Sequence, residues 1–384
     1  MVSGTPDQPA PAASTSYPPG LPGSANSTDP VNTLTGNFGY SHTDLTIPGR
    51  GPSPTFVRSY NSTDTRGPIT GANWVSPLGP GWTNNYAVHL ASPGDGTSDK
   101  LLVGPQGRTD RYTALGGGAF ARSAGVTTVL VANGDGTYTA ALADQTRWTF
   151  DQNGRLTSIA DRYDSAGARR VSNLTYNSNG QLVTVSDPAG RGSLSFGYDP
   201  TTGLLTSATD WSGRVVKYGY DANSPPRLVS VTDRNNQVTT YTYDGTSQRL
   251  LTIKDANNHT ALTMSYDSQG RVATQKDAVG LSTGQQTTFS YGIPGQNGNV
   301  SNTVTYPANG FDGFAPQQVD TYNNLGQVTQ QLSKPSSTET LTSVNGHRER
   351  PTGGPRGIHW WPAKVPTPGD RMNAPPFCGI GYSG

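Results

Sequence analysis

Hydrophobic and polar residues alternate along short segments over much of this chain. Counting back by twos from a recurring aromatic residue gives the apolar sets Leu194/Phe196/Tyr198, Val216/Tyr218/Tyr220 and Leu262/Met264/Tyr266. A period of two places such side chains on one face of a β-strand. The residues between them are mostly Ser, Thr, Gly or Lys, which suit a solvated face. The pattern therefore predicts short strands with one buried face.

The aromatic residue that ends each strand is followed by Asp or a related residue, and the pair recurs at a near-constant spacing. The pairs are Phe150-Asp151, Tyr176-Asn177, Tyr198-Asp199, Tyr220-Asp221, Tyr243-Asp244 and Tyr266-Asp267, with looser copies at Tyr291-Gly292 and Tyr322-Asn323. The aromatic positions step by 26, 22, 22, 23, 23, 25 and 31 residues. A period of this length indicates a repeat architecture in which each unit stacks on its neighbours.

Each unit is predicted to contain two strands and two turns. In three units the first turn runs from Asp or Asn to a glycine, at Gly154, Gly180 and Gly270. This spacing fits a type I turn followed by a residue at positive φ. A second strand then leads to a second acid, at Asp161, Asp187, Asp210, Asp233, Asp255 or Asp277. One hairpin is marginally stable in water, so neighbouring units must supply its partners.

The unit Tyr-Asp-x-x-Gly-Arg-Leu resembles the YD repeat of RHS proteins and of the teneurin-like shell, and the segment from Tyr266 to Val272 is its closest copy. Four upstream segments resemble the domain that commonly precedes RHS repeats in bacterial polymorphic toxins. They are residues 29–36, 44–49, 58–61 and 78–82. Together the two resemblances cover about residues 29–334.

The resemblance implies an all-β fold in which stacked β-hairpins form part of a spiralling YD-repeat shell, preceded by an N-terminal β-rich domain. In bacterial members the shell encloses a variable C-terminal toxin and the protein is exported for interbacterial competition. The repeats have also been associated with carbohydrate binding. The resemblance assigns a structural role to the repeat aromatics and turn glycines, and it carries over no catalytic residue.

Five segments follow from these patterns. We expect a disordered leader at 1–28, the RHS-associated domain at 29–95, a β-rich connection at 96–140, about eight repeats at 141–334 with the last two degenerate, and a disordered or out-of-frame tail at 335–384. Known shells contain many more repeats. We therefore interpret the chain as an N-terminal fragment of a longer protein that continues into a C-terminal toxin domain.

Composition removes several other classes of protein. The net charge of +1 gives no electrostatic support for nucleic-acid binding, and the single cysteine, Cys378, excludes an intrachain disulfide and a multi-cysteine zinc site. No stretch approaches 18 apolar residues, so no membrane span is expected. No signal peptide is readable, and we expect secretion or a cell-surface location for the full-length protein.

The repeated acids also suggest two chemistries that the pattern does not support. A glycosidase needs one pair of carboxylates, whereas six copies are present here. A calcium loop needs further oxygen ligands, but the first turn runs straight into Arg155 and Leu156. The sequence therefore predicts a non-catalytic shell segment without cofactor or metal. The alternatives are a surface carbohydrate-binding repeat protein, or an enzyme acting on glycans or through the tail.

Overall fold

The structure is a computed structural model that describes residues 31–47, 54–64, 76–123, 125–162, 167, 169–245, 249–295, 298–308, 313–324, 326–344 and 347–349. The predicted leader at 1–28 lies outside the described residues, as do residues 350–384 of the predicted tail.

Nearly all regular structure in the described part of the chain is β-strand. The first nine strands are β1 (Gly39–Thr46), β2 (Thr55–Asn61), β3 (Trp82–Asn84), β4 (His89–Ala91), β5 (Lys100–Val103), β6 (Thr109–Gly116), β7 (Ala119–Arg122), β8 (Val129–Ala132) and β9 (Tyr138–Ala141). The next twelve are β10 (Arg147–Phe150), β11 (Leu156–Ala160), β12 (Val171–Tyr176), β13 (Leu182–Ser186), β14 (Ser193–Tyr198), β15 (Leu205–Thr209), β16 (Val215–Tyr220), β17 (Leu228–Thr232), β18 (Val238–Tyr243), β19 (Leu250–Lys254), β20 (Thr260–Tyr266) and β21 (Val272–Asp277). After the helix α1 (Ala278–Thr283) come β22 (Thr287–Tyr291), β23 (Val300–Thr305), β24 (Gln317–Tyr322), β25 (Val328–Lys334), β26 (Leu341–Val344) and β27 (His347–Glu349).

The strands form two sheets. Strands β1, β2 and β3 make a three-stranded antiparallel sheet, while β4 to β27 form a continuous series in which each strand pairs with its neighbours in sequence. His89 of β4 also pairs with Arg155, and the Leu90 amide donates to the Gly154 carbonyl at 2.8 Å. These contacts close β4 to β11 into a ring. The predicted all-β fold of stacked β-hairpins is confirmed.

A register shift recurs where each repeat hairpin meets its first turn. In the β18–β19 pair, Thr242 lies opposite Thr252 but Tyr243 lies opposite Leu250. The same shift occurs at Tyr176, Tyr198, Tyr220 and Tyr266. A β-bulge of this kind inserts one residue and bends the strand. The leucine or valine opposite the tyrosine therefore starts the second strand in the same register in each of these five hairpins.

The core lies on one face of the repeat sheet. Alternate residues of the first strands are buried there, including Leu194, Val216, Tyr241 and Met264. The second strands contribute the residue three positions after the bulge, which is Val185, Ala208, Val231 or Ile253 in successive repeats. Gln275 takes this position in β21 and is 2% exposed. Period-two alternation thus describes the buried face of the first strands, whereas the second strands are buried at positions three residues apart.

Three features of the structure differ from the segments expected from sequence. Strands β5 to β9, expected to form a separate connection at 96–140, belong to the same sheet as the repeats. Strands β26 and β27 extend that sheet to Glu349, so an ordered portion lies beyond the expected limit of 334. The helix α1 follows Asp277, which accepts a hydrogen bond from the Gly280 amide at 2.6 Å. Backbone pairing does not require the repeat motif, so motif boundaries do not mark the ends of the sheet.

We expect Gln275→Val to raise the free energy of unfolding by about 1–3 kcal/mol, measured by urea denaturation. In the described residues neither side-chain amide atom of Gln275 has a hydrogen-bond partner. Valine restores the apolar residue found in other repeats. Asn302→Val is the control, because Asn302 is also buried but its amide donates to the Thr33 carbonyl at 2.7 Å. The control should lower stability, and a loss of stability in Gln275→Val would contradict the prediction.

Candidate functional site: the contact between the repeats and the N-terminal layer

The first turn of each repeat uses its acid to hold the backbone. In the sixth repeat, Asp267 Oδ1 accepts from the amides of Gln269 and Arg271, both at 2.9 Å. Its Oδ2 accepts from Arg271 Nε at 2.8 Å. Gly270 has a φ of 78°, a left-handed conformation that glycine adopts without a steric penalty. Asp151 and Arg155 make the same three contacts. The hydrogen bonds of the carboxylate therefore go to the backbone of its own turn and to the arginine of the same motif.

The arginine of one repeat lies over the tyrosine of the next. The Arg271 guanidinium is 4.2 Å from the centroid of the Tyr291 ring. The corresponding distances are 5.5 Å for Arg155 and Tyr176, 5.2 Å for Arg227 and Tyr243, and 5.9 Å for Arg249 and Tyr266. A cation held over an aromatic face is attracted by the ring quadrupole, by about 0.5–1 kcal/mol at exposed sites. The motif thus links consecutive repeats as well as forming a turn.

The tyrosine hydroxyl makes a second link, which we call the tyrosine clasp. It donates to the backbone carbonyl of the leucine or valine that follows the first turn of the preceding repeat. Six such bonds are described: Tyr176 to Leu156, Tyr198 to Leu182, Tyr220 to Leu205, Tyr243 to Leu228, Tyr266 to Leu250 and Tyr291 to Val272. Burial raises the pKa of each of these phenols above its ordinary value. The hydroxyls therefore remain protonated donors at neutral pH.

The second acids lie at the other turns. Asp187 accepts from the amides of Ala189 and Arg191, and the Arg191 side chain also bonds to it. This side-chain hydrogen bond lowers the pKa of Asp187 to about 2. Asp210, Asp233 and Asp255 each accept from the amides two and four residues later. Asp161 accepts from the Arg162 amide, and Asp277 caps α1. Each acid therefore serves its own turn.

The described residues 31–47, 54–64 and 76–88, with strands β1 to β3, lie against the buried face of the repeats, and we call them the N-terminal layer. Its centre is a buried ion pair between Arg58 and Asp44, whose side chains are each 1% exposed. Arg58 Nη2 donates to the Tyr241 hydroxyl at 2.8 Å, and the Tyr218 hydroxyl donates to Asp44 Oδ2 at 2.8 Å. Two repeat tyrosines thus hydrogen-bond to this buried pair, whereas Arg58 Nε has no partner among the described residues. Removing one partner of a buried ion pair is costly.

Backbone amides at the bulges form a row of docking points for the N-terminal layer. The Leu205 amide donates to the Pro77 carbonyl at 2.7 Å, and the Val272 amide donates to the Gly36 carbonyl at 2.9 Å. The Leu250 amide donates to the Tyr60 hydroxyl oxygen at 2.9 Å. The bulge points these amides out of the hairpin ladder, so another part of the chain can accept from them.

Sequence reasoning did not identify this contact. Arg58, Tyr60 and Trp82 lie in segments quoted for the upstream resemblance, but nothing local pairs them with particular repeats. Trp82 Nε1, for example, donates to the Tyr243 hydroxyl at 2.7 Å across 161 positions of sequence. The sequence offers one signal for this contact, an arginine (Arg58) that stands between the aromatic residues Phe56 and Tyr60.

No group of three or more His, Cys, Asp or Glu side chains that could hold a metal ion occurs within the described ranges. In the same part of the chain, no helix has the length and apolar character needed to cross a membrane. The site is thus an extended packing surface made of turns, aromatic rings and backbone groups.

Comparisons with known proteins match both parts of this arrangement. The family model described as RHS Repeat matches residues 176–215 and 227–260, and a model described as a domain of unknown function (DUF6531) matches residues 28–112. The tRNA3(Ser)-specific nuclease WapA of Bacillus spizizenii is 30% identical over 154 residues, which is 40% of this chain and 6% of that protein. The tRNA nuclease WapA of Bacillus subtilis strain 168 is also 30% identical over 154 residues. The chain thus spans about 6% of the length of these curated relatives.

Two solved structures of toxin assemblies are also similar. The crystal structure of TcdB2-TccC3 without hypervariable C-terminal region is 12% identical, with 79% of this chain and 19% of that chain covered and a TM-score of 0.35. The crystal structure of TcdB2-TccC3 is 13% identical, with the same coverage and a TM-score of 0.27.

The hairpins, their links and the layer packed on them define an all-β repeat protein. The matched family model lies within that series of hairpins. The chain therefore contains RHS repeats.

The tyrosine clasp can be tested with Tyr266→Phe, which removes only the hydroxyl that donates to Leu250. We expect the free energy of unfolding to fall by about 1 kcal/mol in chemical denaturation, the usual net value of such a bond. Tyr138→Phe is the control, because no hydrogen bond of the Tyr138 hydroxyl is found among the described residues. An equal loss in both variants would show that the clasp contributes nothing.

The docking of β4 can be tested with Gly154→Ala. Gly154 has a φ of 80°, and a Cβ there would overlap the carbonyl oxygen of Leu90. Gly213→Ala is the matched control, since Gly213 has a φ of 81° but nothing within 4 Å of its Cβ position. We expect the control to cost about 1–2 kcal/mol and Gly154→Ala to cost about 3 kcal/mol or more. Similar losses in thermal or urea denaturation would argue against a rigid contact.

Proposed function

We propose that this chain is a non-catalytic wall segment of an RHS-type polymorphic toxin. In the full-length protein the wall would enclose and deliver a C-terminal effector carried outside these residues. The predicted repeat positions would have structural roles: the aromatics as clasps and core, the glycines and acids in turns. The protein would be secreted or displayed at the cell surface to act on competing bacteria.

One observation carries this proposal: the same tyrosine hydrogen bond joins successive hairpins at six places in the described residues. A catalytic site is a single asymmetric arrangement of groups, whereas a wall requires equivalent contacts repeated along its length. The acids of the motif accept hydrogen bonds from their own turns, as Asp267 and Asp187 do. Their use there supports a structural role.

The relatives support a toxin rather than another extracellular repeat protein. Two are named as tRNA nucleases, and this chain corresponds to about 6% of each. We assign the catalytic activity of the effector to a domain outside the repeats. The proposed role of the repeats is the same for any effector.

The proposal predicts that the coding sequence continues beyond Gly384 in one reading frame or a closely overlapping one. We expect further YD repeats, a closing segment and then a domain without the repeat, and sequencing of the locus checks this. When the complete reading frame is expressed, the C-terminal domain should resist added protease. The same domain expressed alone serves as control and should be cleaved rapidly. Equal cleavage of the two forms would contradict enclosure.

A further inference from the structure

A groove of about 570 Å³ opens between the N-terminal layer and the second and third repeats. Phe56, Asn84 and Tyr86 line it from the N-terminal layer. The opposite side includes the two first turns that begin at Asn177 and Asp199. The groove therefore lies along the row of docking points described above, as a gap beside the packed rings of Phe56 and Phe196.

The amide of Leu182 lies at this gap. Leu182 is opposite Tyr176, in the register that Leu205, Leu250 and Val272 have opposite their own tyrosines. Those three amides donate to groups of the N-terminal layer. Within the described residues, the layer offers no acceptor to Leu182, which lines the groove instead. The second repeat thus presents a docking point of the same construction to the groove.

The motif itself changes at this point. Asn177 and Gln181 replace the acid and the arginine, and Asn177 Nδ2 donates to Gln181 Oε1 at 2.8 Å. Among the described contacts, no guanidinium lies over Tyr198, unlike the tyrosines of four other repeats. The one carboxylate nearby, Asp199, accepts from the amides of Thr201 and Thr202. The groove therefore favours an uncharged ligand.

The next repeat shows what kind of group such a docking point binds. There the Pro77 carbonyl accepts from the Leu205 amide at 2.7 Å and from the Tyr220 hydroxyl at 3.4 Å. Tyr220 also donates to the Leu205 carbonyl at 2.8 Å, as Tyr198 does to Leu182. Each hydroxyl has one proton, which the tyrosine clasp uses, so the donor that the repeat at Leu182 offers to a ligand is the amide. The acceptor that fits the Leu182 amide by analogy with Pro77 is the carbonyl oxygen of a peptide.

The aromatic side chains of the groove also suit a peptide better than a sugar. A sugar ring stacks on an open aromatic face, but Phe56 and Phe196 are 1% and 8% exposed. Their ring centroids are 5.1 Å apart, so the two rings pack on each other. They offer a small apolar wall of the kind that a proline ring can contact.

We propose that this groove binds an extended, uncharged peptide containing proline, with a backbone carbonyl accepting a hydrogen bond from the Leu182 amide. The peptide would continue the row of carbonyls begun by Pro77. This inference rests on contacts within the described chain and does not depend on the proposed function.

The probe is the capped peptide acetyl-Val-Ser-Pro-Leu-Gly-amide, which has the sequence of residues 75–79. Titrated into the full chain, it should bind saturably with a Kd on the order of 1 mM or tighter. In amide NMR spectra the Leu182 signal should shift more than that of Leu205, which also lines the groove. A scrambled peptide should bind at least tenfold more weakly. A shift at Leu205 alone would mean exchange with Pro77 and would overturn the assignment.

Two variants close the groove without removing its walls. Asn177→Asp with Gln181→Arg installs the usual pair, and the new guanidinium should cover Tyr198. Peptide binding should fall at least tenfold while the thermal midpoint is unchanged or higher.

Asn179→Trp fills the groove from an exposed turn position that lines it. Its matched control is Gln269→Trp, at the same exposed position of the sixth repeat, which should bind the peptide normally.

Three results would overturn the proposal. They are no saturable binding of the peptide, equal binding by the closed variants, and a preference for the sugar probe chitohexaose over the peptide at the Leu182 amide. Because the closed variants are expected to be at least as stable as the parent chain, loss of binding cannot be attributed to unfolding.

Discussion

The tyrosine clasp is the interaction on which the rest of this structure depends. A neutral hydrogen bond of this type contributes only about 0.5–1.5 kcal/mol. Its importance lies in its position, because it joins the aromatic residue of one hairpin to the bulge of the preceding hairpin. A lone hairpin is marginally stable in water. The clasp and the arginine over the same ring connect each hairpin to the next one, so that a chain with 14% charged residues and short strands can form one long sheet.

The bulge connects this local geometry to tertiary structure. It turns the residue opposite the tyrosine into the core in most repeats, as the complete burial of Leu228, Leu250 and Val272 shows. It also directs the amide of that residue away from the hairpin ladder. The N-terminal layer accepts from these amides, and its buried Arg58–Asp44 pair depends on two repeat tyrosines. The layer and the repeats therefore share one hydrogen-bonded core.

Features set by nearby residues could be predicted from the sequence. The buried face of each first strand follows from period-two alternation. The first-turn glycines and acids follow from backbone requirements within five residues. The Arg58–Tyr241 contact could not be predicted, because its partners are 183 positions apart and neither residue type specifies the other. The strands β26 and β27 were missed for another reason: backbone pairing tolerates almost any side chain, so their place in the sheet leaves little trace in sequence.

Complete copies of the repeat motif and copies that depart from it indicate different roles in this protein. Where the motif is complete, as at Asp267 and Arg271, the carboxylate binds its own turn and the guanidinium lies over the tyrosine of the next repeat. Where Asn177 and Gln181 replace the charged pair, the ring of Tyr198 loses its cation and a docking amide faces a groove. A wall built from equivalent units can bind something specific only where the units differ. In a repeat protein of this kind, binding sites are therefore best sought at the imperfect copies of the motif.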